Sequence, residues 1–301
     1  MKKFKIYKIK KINNNSPIVL KPDVGSGQRN LFKITKNSKS EIIKKKFFLS
    51  KNSSKNKFVA IEKFIRGEEI NVVCLIINKK IYKFTYSLRK RYTKKEGFGV
   101  VYRHEYKSYD YLNLNNKIKI YINKIILKFK LSNAIIYPQF ILDESNKLNL
   151  IEYGERIPGG KMRELFEYAT GINLLDAQFQ ISVKFKNLKI KRKKKNYKFI
   201  SIDFVNGSPG PLKSGRVKLI KKFKLPKNNK IIEDNYFLPV KPDQNRIKII
   251  KSSSDRFYYF ICASNSEYNF KENIKFLIEH LNIIDYKNNS LKKKNFYRYI
   301  L

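Results

Sequence analysis

Three side chains with clear chemical potential accompany two apolar runs in the middle of the chain. Gln139 lies in the run 135–142, Glu152 follows thirteen positions later in a run that begins at Leu148, and Arg156 comes four residues after Glu152. Two strands joined by a tight turn would bring these groups to one edge of a sheet. An oxygen-rich site beside a guanidinium suits Mg²⁺ and a phosphoryl group in transfer. The spacing therefore predicts a site for phosphoryl chemistry.

A phosphate-binding turn is predicted near the start of the chain. The apolar run 17–22 is typical of a buried strand and contains Lys21, and a turn with Gly25, Ser26 and Gly27 follows it. Such a turn can bring backbone N–H groups close to phosphate oxygens, and the ammonium of Lys21 could contact the same phosphates. An ordinary hairpin is the alternative interpretation, since neither a Walker A motif nor a dinucleotide fingerprint is present.

A third segment could bind the rest of a nucleotide. An extended stretch with Glu62, Lys63 and Ile65 can present main-chain donors and acceptors to an adenine edge. The carboxylate of Glu69, seven residues after Glu62, can accept hydrogen bonds from both ribose hydroxyls. A charged surface turn between two strands would look similar, because charged residues are common at exposed turns.

Taken in order, the three segments resemble the ATP-grasp superfamily, and most closely its carboxylate–amine ligase branch, which is related to biotin carboxylase and carbamoyl-phosphate synthase. The matching positions are 17–22 with Gly25, Ser26 and Gly27; then Glu62, Lys63, Phe64, Ile65, Gly67 and Glu69; then Gln139, Glu152, Gly154, Arg156, Pro158, Gly159 and Gly160. Two later segments, 207–210 and 252–256, resemble the β-rich C-terminal domain of such ligases. The resemblance therefore covers about residues 16–285.

The resemblance implies an α+β class and an ATP-grasp fold, in which two α+β subdomains sandwich the nucleotide and a small β-rich C-terminal domain follows. It implies ATP and Mg²⁺ (or Mn²⁺) as cofactors, with a carboxylate attacking the γ-phosphate and an amine then displacing phosphate. The implied ligands are the phosphates for Lys21, Gly25, Ser26 and Gly27, adenine for Glu62, Lys63 and Ile65, ribose for Glu69, and the metal for Gln139 and Glu152. Arg156 would be catalytic and would steady the phosphoryl group and the acyl phosphate.

Several departures from the family pattern bear on activity. Gln139 stands where the family usually has an acid, Gly154 where it often has Asn, and Asn30 where it has a third loop glycine. A preceding α/β domain with an earlier phosphate-binding lysine is not visible before Lys21. Three interpretations stay open: one piece of a split enzyme, a shortened chain, and a remnant that binds ATP without turnover.

Composition suggests a competing class of ligand. The 301 residues include 67 Lys and Arg against 24 Asp and Glu, for a net charge of +43, and 42% of the residues are hydrophobic. Such a chain can fold around a core, and its surplus of charge suggests a nucleic-acid binder. The abundance of Lys, Asn, Ile, Tyr and Phe also follows from A/T-rich codons. Because the lysines are scattered over every segment, we favour the codon explanation and expect nucleic acid not to be the partner.

The location and partners are predicted from simpler features. Cys74 and Cys262 lie far apart beside aliphatic residues, which predicts buried free thiols in a reducing compartment. No apolar run reaches transmembrane length, and the basic N-terminus lacks a signal-peptide core. We therefore expect a cytoplasmic protein without a membrane partner. Its expected partners are small carboxylate and amine substrates, with a separate N-terminal-domain subunit or a second copy of the chain as further candidates.

Apolar periodicity and turn residues predict the elements that must position these groups. We expect a small ATP-grasp subdomain at 1–80, a large subdomain with the metal and catalytic site at 81–190, and a β-rich domain at 198–301. The predicted helices are 38–48, 116–129, 162–169, 172–185 and 270–281, and the predicted strands are 17–22, 31–34, 58–64, 70–77, 80–87, 135–142, 148 onwards, 199–205, 215–223, 236–240 and 257–262. The basic stretch 89–103 is predicted to be a flexible, solvated loop. His104, next to it, suits a structural role as well as a catalytic one.

Three functions follow from these observations. An ATP-dependent ligase that activates a carboxylate as an acyl phosphate for attack by an amine is the leading hypothesis. The alternatives are an ATP-binding but catalytically incomplete fragment or subunit, and a non-enzymatic basic protein that binds nucleic acid.

Overall fold

The structure is a computed structural model of the chain. It describes residues 16–25, 29–92, 99–110, 112–183, 188–193, 196–208, 210–221, 231–236 and 246–294. Within these ranges the strands form two sheets of three strands and one sheet of eight. All of the strand pairs in these sheets are antiparallel.

The first small sheet and one helix form a unit near the start of the chain. Its strands have the order β2-β1-β3, and the elements are β1 (Ile18–Pro22), β2 (Phe32–Ile34), α1 (Ser40–Ser53) and β3 (Val59–Lys63). Strand alternation buries Ile18 and Leu20 in a core with Ile43 of α1. Val19 and Lys21 consequently lie on the other face, where they line a cleft.

The eight-stranded sheet is the centre of the molecule. Its order is β11-β13-β9-β6-β5-β4-β7-β8, and five of its strands are β4 (Gly67–Ile77), β5 (Lys80–Arg91), β6 (Val101–Lys107), β7 (Ala134–Asp143) and β8 (Leu148–Glu155). The predicted strands 70–77 and 80–87 leave only Asn78 and Lys79 as the turn between them, and both residues have positive φ, of 51° and 62°. This is the backbone conformation of a type I′ hairpin turn.

The last third of the chain extends this sheet and also builds a second small one. Strands β9 (Phe199–Val205), β11 (Ile231–Tyr236) and β13 (Tyr258–Ser264) complete the large sheet, and the small sheet has the order β12-β10-β14, with β10 (Gly215–Lys221), β12 (Arg246–Ile247) and β14 (Asn282–Asp285). Strand β9 pairs directly with β6. The large sheet thus joins strands from all three predicted units, and the boundaries at 1–80, 81–190 and 198–301 stay a prediction.

Helices cover both faces of the large sheet. They are α2 (Asn115–Phe129), α3 (Met162–Thr170), α4 (Leu174–Ser182) and α5 (Glu267–His280). Helix α2 packs on one face of β4, β5 and β7, while α3 and α4 pack on the opposite face. Helix α3 ends within one residue of its predicted range 162–169, because Gly171 caps it in the left-handed conformation with φ of 74°. No helix in the described part of the chain is long and apolar enough to span a bilayer.

Most predicted elements are present, with ends shifted by a few residues, but the predicted loop 89–103 is wrong at both of its ends. Strand β5 continues to Arg91 and β6 begins at Val101, so that six of the nine described residues of this stretch are paired sheet; residues 93–98 lie outside the described part. The predicted helix 172–185 begins only at Leu174, because the side chain of Asn173 caps it by accepting from two backbone N–H groups. Of the predicted strand 236–240, only Tyr236 is described, as the last residue of β11.

Candidate functional site

A cleft of about 510 Å³ lies between the first small sheet and the eight-stranded sheet. Nine of the eleven predicted site residues line it: Lys21, Gly25, Glu62, Lys63, Ile65, Glu69, Gln139, Glu152 and Arg156. The other two, Ser26 and Gly27, lie outside the described residues. The structure therefore brings three distant sequence motifs together, while the role of each residue stays a prediction.

The floor of the cleft is one end of a face of the large sheet. Helices α3 and α4 cover the other end of that face, over Val73, Leu75 and Ile135. Beyond the helices, the same alternation places polar side chains on this face of four neighbouring strands, β5, β4, β7 and β8. These are Arg89 and Arg91, Glu69 and Asn71, Gln139, and Glu152, which the strand registers place on one face.

The predicted phosphate end is formed by the small sheet. The ammonium of Lys21 lies 2.8 Å from Oε1 of Glu62, and Lys21 is about 20% exposed whereas Glu62 is about 42% exposed. Gly25 and Arg29, which flank residues 26–28 in the sequence, line the cleft. Lys21 and Arg29 give this end positive charge, and the contact with Glu62 holds the Lys21 side chain in a defined position.

The segment from Glu62 to Glu69 connects the two sheets along one wall of the cleft. Lys63, Phe64 and Ile65 all line it, and the N–H of Phe64 donates to the carbonyl of Pro17 at 2.9 Å. Gly67 is required by sterics, because it has φ of 150° and a Cβ there would lie 1.9 Å from the carbonyl oxygen of Leu142 in β7. The glycine of this motif therefore lets β4 begin against β7.

Glu69, predicted to bind ribose, is bound in the structure by two arginines. Arg91 Nε donates to Oε1 at 2.6 Å and Arg89 Nη1 donates to Oε2 at 2.8 Å, and all three side chains are only 13–16% exposed. Glu69 and Arg89 are direct cross-strand partners, and Arg91 lies two residues further along the same face of β5. The prediction that Arg89 and Arg91 belong to a solvated loop is therefore wrong, and a ribose would compete with both for Glu69.

The two predicted metal ligands lie side by side. Gln139 and Glu152 are direct partners in the β7–β8 hairpin, as the spacing predicted. The hairpin turn is stabilised by Asp143, which accepts hydrogen bonds from the Ser145 hydroxyl and from the backbone N–H groups of Ser145 and Lys147. These bonds, led by the one from the Ser145 hydroxyl, lower the pKa of Asp143 to about 2.

The donor set at this position does not fit Mg²⁺. Gln139 supplies no charge, and its Oε1 already accepts a hydrogen bond from Arg89 Nη1 at 3.0 Å. Among the described residues, no three His, Cys, Asp or Glu side chains are placed to hold a metal ion together. The protein thus supplies one carboxylate, Glu152, and one amide oxygen that a guanidinium already occupies, whereas Mg²⁺ at nucleotide sites is held by one or two carboxylates together with water and phosphate oxygens.

Arg156, the predicted catalytic residue, projects from the end of β8. Its Nη1 donates to the carbonyl of Ile157 at 3.2 Å, and its guanidinium carbon lies 5.9 Å from the ring centroid of Tyr137. Gly154 lines the cleft here, and a Cβ at that position would lie 3.4 Å from Arg156 Nε. A side chain at Gly154, where the family often has Asn, would therefore contact Arg156 directly.

Three buried titratable side chains complete the floor: His104, Tyr137 and Arg256. The sequence alone indicates no definite role for any of them. The Asn71 side-chain nitrogen lies 3.1 Å from His104 Nδ1, and burial, followed by the charges of Arg89 and Arg256, lowers the pKa of His104 well below its usual value. Burial raises the pKa of Tyr137 to about 12. Burial and the nearby Arg89 lower the pKa of Arg256 to about 9. The floor is therefore a low-dielectric surface that carries positive charge.

The chain shares its fold with solved structures, but its sequence similarity to known proteins is limited. No protein-family model matches the chain. Among curated proteins, a DNA polymerase from Pyramimonas orientalis virus is 30% identical over 135 residues, which is 44% of this chain and 11% of the polymerase. The chain thus spans about a tenth of that relative.

Solved structures match nearly the whole chain. Phosphoribosylglycinamide synthetase from Anaerococcus prevotii matches with a TM-score of 0.62 and 21% identity, over 89% of this chain and 64% of the synthetase. L-amino acid ligase from Bacillus licheniformis matches with a TM-score of 0.61 and 15% identity, over 90% of this chain and 64% of the ligase. The biotin carboxylase domain of Hydrogenobacter thermophilus 2-oxoglutarate carboxylase, in complex with MgADP, ADP and bicarbonate, has a TM-score of 0.63 and 14% identity, over 96% of this chain and 61% of that domain. At these identities the likeness shows a shared fold, and the chain spans less than two thirds of each neighbour.

Proposed function

Because the chain has the ATP-grasp fold of the carboxylate–amine ligases, we propose that its cleft binds ATP and that the protein activates a carboxylate for attack by an amine. The observation that carries the proposal is the convergence of three motifs, containing Lys21, Glu69 and Arg156, on one cleft of about 510 Å³. A cleft of this size can enclose most of a nucleotide, since pockets for small ligands typically measure about 300–1,000 Å³.

The proposed reaction has two steps. An oxygen of the substrate carboxylate attacks the γ-phosphorus of ATP, ADP leaves, and an acyl phosphate forms. The nitrogen of a neutral amine then attacks the acyl carbon, inorganic phosphate leaves, and the amine proton passes to solvent. Lys21 would hold phosphate oxygens, and Arg156 and Arg256, which also line the cleft, would stabilise the charge that develops on the transferring group.

ATP binding is tested by titration with a fluorescent ATP analogue. We expect Lys21→Met to weaken binding about tenfold or more, because it removes one charge-assisted contact with phosphate. Lys83→Met is the matched control, since Lys83 is exposed on β5 and does not line the cleft. Equal affinities of the wild type and both variants would show that the nucleotide does not bind at Lys21.

Glu69→Gln, compared with Glu68→Gln, tests the predicted ribose contact. Glu68 is adjacent and 52% exposed, and it pairs with Lys90 outside the cleft. If Glu69 accepts hydrogen bonds from the ribose, its replacement should weaken ATP more than 2′-deoxy-ATP. A loss of the same size for both nucleotides would contradict a contact with the 2′-hydroxyl.

Turnover requires a separate measurement. Incubation of the protein with ATP and pools of carboxylic acids and amines should release ADP and phosphate only when the correct pair is present. ATP binding without ADP release in any pool would favour the catalytically incomplete protein. The carboxylate and amine substrates, and a separate subunit or second copy of the chain as partner, remain proposals, because the chain spans only 61–64% of the neighbours.

Nucleic-acid binding is the second candidate, favoured by the net charge of +43 and by the partial match to a viral DNA polymerase. It predicts binding of DNA or RNA that weakens steeply with salt and does not change in Lys21→Met. If a nucleic acid binds without displacing the fluorescent nucleotide, its binding site lies outside the cleft.

A further inference from the structure

The position predicted for a metal holds a positive side chain instead. Arg89 Nη1 donates to Gln139 Oε1 at 3.0 Å and to Glu69 Oε2 at 2.8 Å. The side chain is 15% exposed and extends from β5 across β4 to β7. A guanidinium is thus fixed at the amide oxygen that would have to coordinate a divalent cation, and like charges at such separations repel strongly where water is excluded.

The charge of the whole cleft points in the same direction. Of the described residues that line it, seven are Lys or Arg and three are Glu, a surplus of four positive charges. ATP without a metal carries a charge of about −4 near neutral pH, because its phosphate oxygens are ionised there, whereas its magnesium complex carries about −2. The fixed charges of this cleft therefore match the metal-free nucleotide.

We infer that Arg89 takes the place of the divalent cation, so that the cleft binds the metal-free nucleoside triphosphate in preference to its magnesium complex. The inference rests on the proposed binding of ATP and specifies the form that binds. Both observed hydrogen bonds of Arg89 use Nη1, and a guanidinium has further N–H donors on Nη2 and Nε. These donors suit phosphate oxygens, which arginine commonly binds in pairs.

Calorimetric titration of ATP into the wild-type protein tests the inference without a variant. We expect ATP to bind in EDTA, and millimolar magnesium to weaken the apparent affinity about tenfold because it sequesters the metal-free form. Manganese resonance spectra should show no Mn²⁺ held by the protein–ATP complex beyond what ATP alone holds. Tighter binding with magnesium than in EDTA would overturn the inference while leaving the proposed ATP binding intact. No binding under either condition would overturn both.

Two variants locate the effect. Arg89→Met should weaken ATP in EDTA about tenfold or more, whereas Lys90→Met should not, because Lys90 lies on the opposite face of the same strand. The double variant Arg89→Met with Gln139→Glu adds a second carboxylate on β7, directly opposite Glu152 on β8. It should therefore bind Mn²⁺ together with ATP and become magnesium-dependent. Circular dichroism confirms that each variant is folded, and unchanged metal independence in the folded double variant would contradict the assignment to Arg89.

Discussion

Replacement of Asp203 by Asn is expected to destabilise the protein strongly, because it removes the charge partner of a buried arginine. Arg103 on β6 and Asp203 on β9 are direct cross-strand partners, and Nε of the arginine lies 2.5 Å from Oδ1 of the aspartate. The side chains are 10% and 2% exposed. This pair lies at the junction where the last third of the chain joins the large sheet.

The expected magnitude follows from this burial. Removal of one partner of a buried ion pair costs about 3–5 kcal/mol, since the remaining charge is left without compensation. For a chain of this length the loss corresponds to a fall in Tm of roughly 5–8 °C. Replacement of both residues, by Arg103→Met with Asp203→Leu, should cost less than about 1 kcal/mol. The two apolar side chains leave no buried charge that needs a partner.

Urea unfolding of the wild type, of the single variants Asp203→Asn and Arg103→Met, and of the double variant measures these free energies. Glu68→Gln is the control, because it breaks an exposed pair with Lys90 and should change stability by less than about 1 kcal/mol. The reasoning is refuted if Asp203→Asn costs no more than the control, or if the double variant is less stable than either single variant.

Two further predictions concern a glycine and the thiols. Gly67→Ala should cost about 3 kcal/mol or more in thermal unfolding, because the new Cβ meets a backbone carbonyl at 1.9 Å, whereas Gly159→Ala, with nothing within 4 Å, should be nearly neutral. Cys74 and Cys262 are buried and burial raises the pKa of both thiols, so that a thiol reagent should label neither in the native protein and both in denaturant; rapid native labelling would contradict their burial.

The motifs of the cleft could be predicted from sequence because each is local. The β7–β8 hairpin needs only two apolar runs and a turn, and these place Gln139 opposite Glu152. The end of α3 needs only a glycine that tolerates positive φ, at Gly171. The order of these motifs along the chain, compared with that of a known family, was sufficient to predict the fold.

The electrostatics of the cleft could not be predicted in the same way. Arg89 and Arg91 lie in a segment so basic that its composition indicates a solvated loop, and what makes it a strand is pairing with β4 and β6. Their spacing of two residues was a signal, since it places both on one face of a strand. Arg256 stood in a matched segment, but only the structure shows that its guanidinium lies 4.0 Å from the ring centroid of Phe204 on β9 and lines the cleft. These contacts depend on residues far apart in sequence.

The pairing of β9 with β6 also has a consequence for synthesis on the ribosome. Strand β6 ends at Lys107 and β9 begins at Phe199, so that about 90 residues are made between the two, which takes roughly 5–20 s at typical translation rates. During this interval the outer edge of β6 has no partner from the same chain, and the nascent protein exposes a strand that can aggregate. Arg103, half of the pair described above, places a charge on that strand, and unpaired charge on an open edge disfavours association with other chains until Asp203 emerges.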